Sequence, residues 1–184
     1  MATAAEGIGA AARPSFGAAE QRHLVAEASR KSGLVWVNGQ ALWHVWMDDA
    51  LWVVGGGAGE QPLPGLFDGG AARVSVRSKD KGGRLVTWEA RVELVAPRSE
   101  AWEAAVAELK AKRLNSVDPD GVADRWAAEC RVFRLTPQGL PAEHPGALSA
   151  DSGAAAPVPS PAVTRHPIPA PLPRLLAGRR RKKS

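Results

Sequence analysis

The chain has 184 residues, of which 45% are hydrophobic, and this combination indicates one folded domain with a substantial core. A single cysteine, Cys130, excludes an internal disulfide framework. No stretch approaches the ~18 consecutive apolar residues of a membrane helix, and the first residues lack the basic and apolar regions of a signal peptide. We therefore expect a soluble cytoplasmic protein without membrane insertion.

The net charge of +5 is unevenly distributed along the chain. Residues 20–140 carry 16 basic and 16 acidic residues, whereas residues 141–184 carry seven basic and two acidic ones, together with nine of the fifteen prolines. Proline removes an amide donor and disfavours helix before it. We predict a flexible leader over 1–15, a folded domain over 16–140 and a disordered proline-rich tail over 141–184. The basic end of this tail is expected to make weak, nonspecific contacts with anionic surfaces.

The folded region begins with a helix and continues as short strands. An apolar stripe predicts the helix over 16–32. Three apolar runs separated by Asn-Gly and Asp-Asp then predict a meander, because Asn-Gly is the strongest short hairpin signal. Further along, Ser99 is expected to cap a helix, and Asp118-Pro119 marks the start of another. The predicted strands are 34–37, 41–47, 50–54, 72–78, 84–96 and 131–135, and the first of the two later helices is 100–114.

Six short antiparallel strands with closely spaced turns predict a barrel. Both faces of the strand 50–54 are apolar, yet a barrel interior buries only one face. Helices of the chain or a second subunit must cover the other face, and a homodimer is the more economical arrangement. The predicted fold class is therefore mainly β with flanking helices (α+β), built as an antiparallel six-stranded barrel.

The stretch 51–66, LWVVGGGAGEQPLPGL, places three glycines directly after a strand. No Gly-Lys-Ser/Thr follows, which excludes a Walker A loop. Pro62 and Pro64 argue against the helix that a dinucleotide fingerprint requires. Two interpretations remain for this loop: a bend whose glycines adopt positive φ, or an anion-binding concavity formed by bare amides.

Other candidate functional residues are scattered. The hairpin 76–84 gathers Arg77, Ser78 and Lys79, a set that suits a phosphate group but is equally typical of a solvated turn. His44 is a candidate base, axial ligand or buried structural residue. No two histidines have metal-ligand spacing, so no metal site is predicted, and no serine lies in a nucleophile pattern. Catalytic residues are therefore left unassigned.

The order of elements, with the segments ALWHVWMDDALWVV and AARVSVRSKDKGGRLVTWEARVELV, resembles the pyridoxamine 5′-phosphate oxidase-like family, the FMN-binding split barrels. The resemblance covers residues 20–137. It implies a split-barrel homodimer with cofactor sites at the subunit interface, where relatives hold FMN, a deazaflavin or haem. The family's phosphate ligands correspond here to residues 43–46, residues 54–56, and Glu60 with Gln61.

The sequence departs from the family pattern where a basic residue is common. The second strand has no Lys or Arg, and Gln61 and Pro62 occupy the loop. The implied cofactor site therefore combines aromatic walls, glycine amides and the basic hairpin. Its candidate residues are Trp43, His44, Trp46, Gly55, Gly56, Gln61, Arg77, Ser78, Lys79 and Trp88.

The resemblance implies an FMN- or deazaflavin-dependent oxidoreductase that acts on an unidentified small molecule. A flavin performs the hydride chemistry itself, so the absence of a catalytic triad is compatible with this function. Three alternatives remain: a split-barrel binding or scaffold dimer without a cofactor, a haem-binding relative, and an interaction protein that acts through the tail.

Overall fold

A computed structural model describes residues 17–78, 82–113 and 121–151. Within these residues the chain forms three helices and seven strands. In chain order they are α1 Ala18–Lys31, β1 Leu34–Val37, β2 Gln40–Trp43, β3 Val45–Met47, β4 Ala50–Gly55, β5 Ala71–Arg77, β6 Arg84–Val95, α2 Glu100–Lys112, α3 Val122–Glu129 and β7 Arg131–Glu143.

Several predicted features lie outside the described residues. They are the leader 1–15, Lys79, the Asp118-Pro119 cap and the chain after residue 151. None of the helices in the described part of the chain is both long and apolar enough to span a bilayer.

The seven strands form one antiparallel sheet in the order β2-β1-β5-β6-β7-β4-β3. Its two edge strands, β2 and β3, are consecutive in the chain and are separated only by His44. Because one residue joins the first and last strands of the sheet, the sheet must curl until its edges approach each other. The fold is therefore α+β, with a seven-stranded antiparallel sheet curled into a half-barrel.

The sequence predicts one strand over 41–47, and this prediction is wrong. The structure divides the segment at His44, which raises the strand number from six to seven. The part before the break pairs with β1, and the part after it pairs with β4. The break marks a change of partner across the barrel, which apolar periodicity does not reveal.

The two tight turns of the predicted meander are confirmed. Asn38 and Gly39 have φ of 48° and 83°, and Asp48 and Asp49 have φ of 50° and 51°. Positive φ at both central residues matches the right-handed twist of the flanking strands. These turns fix the register in which β1 meets β2 and β3 meets β4.

Strand β4 is buried on both faces, as its composition predicts. Leu51 and Val53 belong to a core cluster with the interior residues of the other strands. Ala50, Trp52 and Val54 belong to a second cluster with α2 and α3. Helices of the same chain therefore cover the outer apolar face of β4. Burial of this face was the reason for expecting a homodimer, and it does not require a second subunit. The homodimer itself stays a prediction.

The helix α2 begins as the sequence predicts. The hydroxyl of Ser99 accepts a hydrogen bond from the Trp102 amide at 3.3 Å, which caps the helix. Its apolar side buries Trp102, Val106 and Leu109 against the outer face of β4. Packing of this stripe holds the helix on the sheet.

The last strand is longer than predicted, since β7 extends to Glu143 rather than ending near 135. It also runs past the predicted domain boundary at residue 140. Pro137, Gly139 and Pro141 argue against a strand because they remove amide donors or add backbone freedom. Pro137 still lies opposite Ala90 in the regular ladder, whereas Gly139 and Pro141 fall in an irregular stretch.

Candidate functional site

A wide bulge interrupts the pairing of β6 with β7 beside Trp88. Thr87 pairs with Glu143 and Glu89 pairs with Gln138, so two steps along β6 correspond to five along β7. Three extra residues are therefore accommodated opposite Trp88, and Gly139 within them has φ of 64°. Bulges of this kind open a sheet locally and are common beside functional sites.

A cavity of about 500 Å³ lies against this bulge, and we call it the tryptophan cavity. This volume is within the range of small-molecule sites. Helix α1 forms one wall, β3 and its turn a second, and the bulged part of β7 a third. The lining residues are Arg22, His23, Val25, Ala26, Trp46, Asp49, Trp88, Thr136, Pro137, Gly139 and Pro141.

Two of the predicted cofactor-site residues meet at this cavity. The rings of Trp46 and Trp88 are arranged edge to face, with centroids 6.1 Å apart and planes at 87°. Both indole Nε1 atoms and the Thr136 hydroxyl are buried, and none has a hydrogen-bond partner among the described residues. Buried polar atoms are paired in most native structures, so these three are unusual, but none of them is accessible from the cavity in this structure.

The charged lining residues lie on α1 and in the β3–β4 turn. Arg22 and His23 are exposed on the helix, and Asp49 is exposed in the turn. The remaining lining residues are apolar, aromatic or uncharged. A ligand here would keep an apolar ring inside and a charged substituent toward α1.

The glycine loop after β4 is closed against its own chain. A Cβ atom at Gly55 would lie 2.2 Å from the Gln61 carbonyl oxygen, and one at Gly57 would lie 2.5 Å from the Cys130 sulfur. Gly56 has φ of 83°, and its amide donates to the Gln61 carbonyl at 2.9 Å. These glycines provide positive φ and close approach, which favours a bend over an open anion concavity. The phosphate-binding role of Gly55 and Gly56 stays a prediction.

Gln61 links β2, at one edge of the curled sheet, to β4, next to the other edge. We call this junction the seam of the half-barrel. Its side-chain oxygen accepts from the Trp43 amide at 2.9 Å, and its Nε2 donates to the carbonyls of Trp43 and Val54, both at 2.9 Å. The carboxamide thus bridges β2 and β4, which the strand order leaves apart. Both of its donors are engaged, so a cofactor phosphate would have to displace one of them.

Replacing Gln61 by leucine should lower the free energy of unfolding by about 2 kcal/mol, because backbone groups of Trp43 and Val54 lose their partners in a half-buried site. Urea unfolding followed by tryptophan fluorescence measures the change. Gln40→Leu, on the exposed edge of β2, is the control and should change stability by less than ~0.5 kcal/mol. Equal stabilities of the two variants would show that the bridge does not stabilise the seam.

Glu60 forms a buried charge cluster beside this seam. Its fully buried carboxylate accepts from Arg125 at 2.9 Å and from the Trp126 indole at 3.0 Å, and it lies 3.2 Å from Arg113 Nε. Burial pushes the pKa of Glu60 upward, but the bonds from Trp126 and Arg125 and the two guanidinium charges outweigh it, so the pKa lies below its usual value. Glu60 is marked as a candidate in the sequence only by the family resemblance.

His44 lies at the junction of the two sheet edges and is 1% exposed. Its Nε2 is 2.8 Å from the Ser29 carbonyl, and its Nδ1 has no partner among the described residues. Burial lowers the pKa of His44 to about 4, with Lys112 adding to the effect and the Ser29 bond opposing it. The neutral imidazole therefore donates a hydrogen bond from Nε2 to the Ser29 carbonyl of α1. This arrangement is typical of a structural histidine. The described residues contain no group of three or more metal-binding side chains.

The other described candidates lie away from the tryptophan cavity, with Trp43 beside the Gln61 bridge and Arg77 with Ser78 at the end of β5. Trp43 faces Trp126 with ring centroids 6.1 Å apart, next to the Gln61 bridge. The Arg77 guanidinium lies 4.5 Å from the centre of the Trp36 ring, and the Ser78 amide donates to the Gly83 carbonyl at 2.8 Å. The nine predicted residues that the structure describes thus do not form one cluster. Thr136, which no motif marks, lines the cavity from the regular part of β7, opposite Arg91.

No family model and no curated protein matches this sequence. Among solved structures, the haem storage protein HutZ from Vibrio cholerae is similar, with 12% identity and a TM-score of 0.45 over 64% of this chain and 89% of that one. An FAD- and haem-binding protein from Mycobacterium smegmatis is also similar, with 17% identity and a TM-score of 0.41 over 85% of this chain and 94% of that one. Similarities of this size do not identify a ligand for this chain.

Proposed function

We propose that this protein is a split-barrel binding protein that holds a planar aromatic cofactor of the flavin class in the tryptophan cavity. The observation that supports this proposal is the pair Trp46 and Trp88 on the wall of a cavity of about 500 Å³. Aromatic side chains bind planar rings through large apolar contact and favourable ring geometry. FMN and a deazaflavin both carry a ring system of this kind.

The flavin ring fits the cavity better than the flavin phosphate fits the glycine loop. The Gly56 amide and both Gln61 side-chain donors are engaged within the chain, and Glu60 already pairs with Arg113 and Arg125. Arg22 offers positive charge beside the cavity instead. We therefore place the phosphate of an FMN-type ligand toward α1.

A bound flavin would supply hydride or electron transfer. The chain would hold the ring against the wall formed by Trp46 and Trp88 and exclude water from its buried face. The protein would then be an oxidoreductase acting on a small molecule that reaches the exposed side of the cavity.

A cofactor-free scaffold is the second candidate. The closed glycine loop supports it, because the chain's own groups occupy the position that corresponds to the family's phosphate site.

Haem binding has less support from the geometry, because His44 Nε2 is bonded to the Ser29 carbonyl. A homodimer remains part of the proposal on the family resemblance alone, and native mass spectrometry tests it together with cofactor content.

Binding should be measured by absorbance and by quenching of tryptophan fluorescence with FMN, riboflavin, a deazaflavin and haemin in turn. We expect a flavin to bind, and Trp46→Leu to weaken its affinity roughly tenfold through loss of the aromatic wall. Trp36→Leu is the matched control, since Trp36 is also half-buried but lies outside the cavity under Arg77.

Failure of all four compounds to bind would reject the cofactor proposal and favour the scaffold. Loss of binding in Trp36→Leu but not in Trp46→Leu would move the site to the Arg77 hairpin. Uptake of haemin alone would favour the haem-binding alternative.

A further inference from the structure

The outer face of β1 carries an apolar patch that does not belong to the core. Leu34 is 47% exposed and Trp36 is half-buried, and neither is part of the two core clusters. Ala41 on β2 lies directly opposite Trp36 and is also exposed. Opposed residues of antiparallel strands share a face of the sheet, as do residues two positions apart. We call these three residues, with the Arg77 side chain that stacks on Trp36, the Trp36 face.

Arg77 adds hydrogen-bond donors to this apolar surface. Its guanidinium lies 4.5 Å from the centre of the Trp36 ring and has no hydrogen bond or ion pair within residues 17–78, 82–113 and 121–151. A guanidinium carries five N–H donors in a planar fork. The Trp36 face therefore suits a ligand that presents apolar rings together with unpaired carbonyl oxygens.

The described part of the chain ends close to this face. The guanidinium of Arg84 donates to the carbonyl of Ser149 at 2.7 Å and to that of Asp151. Arg84 is paired with Arg77 across β6 and β5, and β1 is the next strand of the sheet. Because neighbouring strands are about 4.8 Å apart, β1 lies only about 10 Å across the sheet from β6. The chain that follows Asp151 thus starts within reach of Trp36.

The sequence after Asp151 matches the chemistry of the Trp36 face. Residues 156–163, APVPSPAV, carry no charge, and we call them the proline segment. The five residues that lead from Asp151 to it can span about 17 Å, which is sufficient to reach β1. Proline at every second position favours the polyproline II conformation, whose carbonyl oxygens have no internal partner. Such segments typically bind surfaces lined by aromatic side chains.

A second proline run, residues 166–173, fits the face less well. Arg165 and Arg174 flank this run. Their charges would be repelled by Arg77, whereas the proline segment brings no charge to the face. Charge and distance along the chain therefore both favour the first run.

We propose that the proline segment docks on the Trp36 face of its own chain, with proline rings against Trp36 and Leu34 and carbonyl oxygens accepting from Arg77. A short tether gives an effective concentration of about 1 mM, so an affinity of only ~0.1 mM keeps roughly nine tenths of the molecules docked. This contact covers the apolar patch of β1 and is independent of any ligand in the tryptophan cavity.

The indole N–H signals of the ¹⁵N-labelled full-length chain test the docking, with Trp36→Phe identifying the signal of Trp36. The first variant removes the rings of the proline segment through Pro157→Gly, Pro159→Gly and Pro161→Gly. We expect it to shift the Trp36 signal. The matched control changes the later run through Pro167→Gly, Pro169→Gly and Pro171→Gly, and it should leave that signal in place. Both variants leave residues 17–151 unchanged, so neither removes a contact within them.

A nitroxide attached at Val163→Cys tests whether the contact is within one molecule. The Trp36 signal should lose most of its intensity in the labelled chain, and Arg77→Gln should reduce this loss. Arg91→Gln, on the exposed face of β6, is the control and should not reduce it. In a mixture of nitroxide-labelled chains with ¹⁵N-labelled chains that lack the nitroxide, the Trp36 signal should keep its intensity.

Three outcomes would overturn the proposal. An unchanged Trp36 signal in both proline variants would show that neither run docks on this face. A shift in the later-run variant alone would exclude the assignment to residues 156–163. Loss of the Trp36 signal in the mixed sample would show that the face binds the segment of a second copy.

Discussion

Replacing Glu60 by alanine is expected to lower the free energy of unfolding by about 2 to 3 kcal/mol. The carboxylate is fully buried and lies between Arg113, at the end of α2, and Arg125 on α3. Its removal leaves two guanidinium groups without their common counter-ion and the Trp126 indole without its acceptor. Removing the shared carboxylate is costly because the Trp126 donor is left unpaired and the two guanidinium groups, whose side chains are 25% and 34% exposed, regain only part of their solvation.

The location of Glu60 explains why the loss should affect the whole domain. The guanidinium groups of Arg113 and Arg125 also lie 3.4 Å from the carbonyls of Gly59 and Ala58, so both helices are tied to the glycine loop. Glu60 therefore joins the helical layer to the seam of the sheet. Without it, α2 and α3 lose an attachment to the loop that follows β4.

Urea unfolding at neutral pH, with tryptophan fluorescence as the signal, measures this change. Glu60→Gln keeps an acceptor for Trp126 but removes the charge, so its stability should lie between those of the native chain and Glu60→Ala. The exposed Glu89 on β6 provides the control, and Glu89→Ala should change stability by less than ~0.5 kcal/mol. A loss below ~1 kcal/mol in Glu60→Ala would show that the cluster does not hold the helices.

Local signals predicted most of the secondary structure. The helix caps and tight turns depend on a few neighbouring residues, so Ser99 and the Asn-Gly and Asp-Asp turns were predictable from the sequence. The division of 41–47 at His44 was not, because it reflects closure of the barrel between distant strands. The extension of β7 was not predictable for a similar reason, since Gly139 and Pro141 are accommodated in a bulge opposite Trp88 that depends on pairing with β6.

The candidate site could be predicted only in part. Trp46 and Trp88 were identified as aromatic walls, and the structure brings them together. Thr136 carries no recognisable motif, and its place in the cavity depends on the pairing of β7 with β6, which one sequence does not reveal. The cluster around Glu60 joins residues more than 50 positions apart, and such pairing leaves no periodic trace in one sequence.

Lowering the pH from 6.5 to 4 is expected to destabilise the fold by about 3 kcal/mol through His44 alone. Burial holds the pKa of His44 at about 4 in the folded chain, below the ordinary value of 6.5 that applies when the chain unfolds. The unfolded state therefore binds the proton more readily, and stability falls as the pH drops through this window. Below the folded-state pKa the contribution of His44 becomes constant.

The surroundings of His44 give this effect its physical cause. Nε2 already donates to the Ser29 carbonyl, so the incoming proton must bind Nδ1, which has no acceptor among the described residues. The nearby positive charge of Lys112 opposes protonation further. The proton would thus create a charged, unpaired donor in the core.

Urea unfolding between pH 7 and 4.5 should show a steeper loss of stability in the native chain than in His44→Gln, by up to ~1.4 kcal/mol per pH unit. His23 is exposed and present in both proteins, so it cancels in the comparison. Glu60 contributes at lower pH, because its depressed pKa makes its stabilisation fade only below about 4.5. Parallel pH profiles for the two proteins would contradict the assignment to His44.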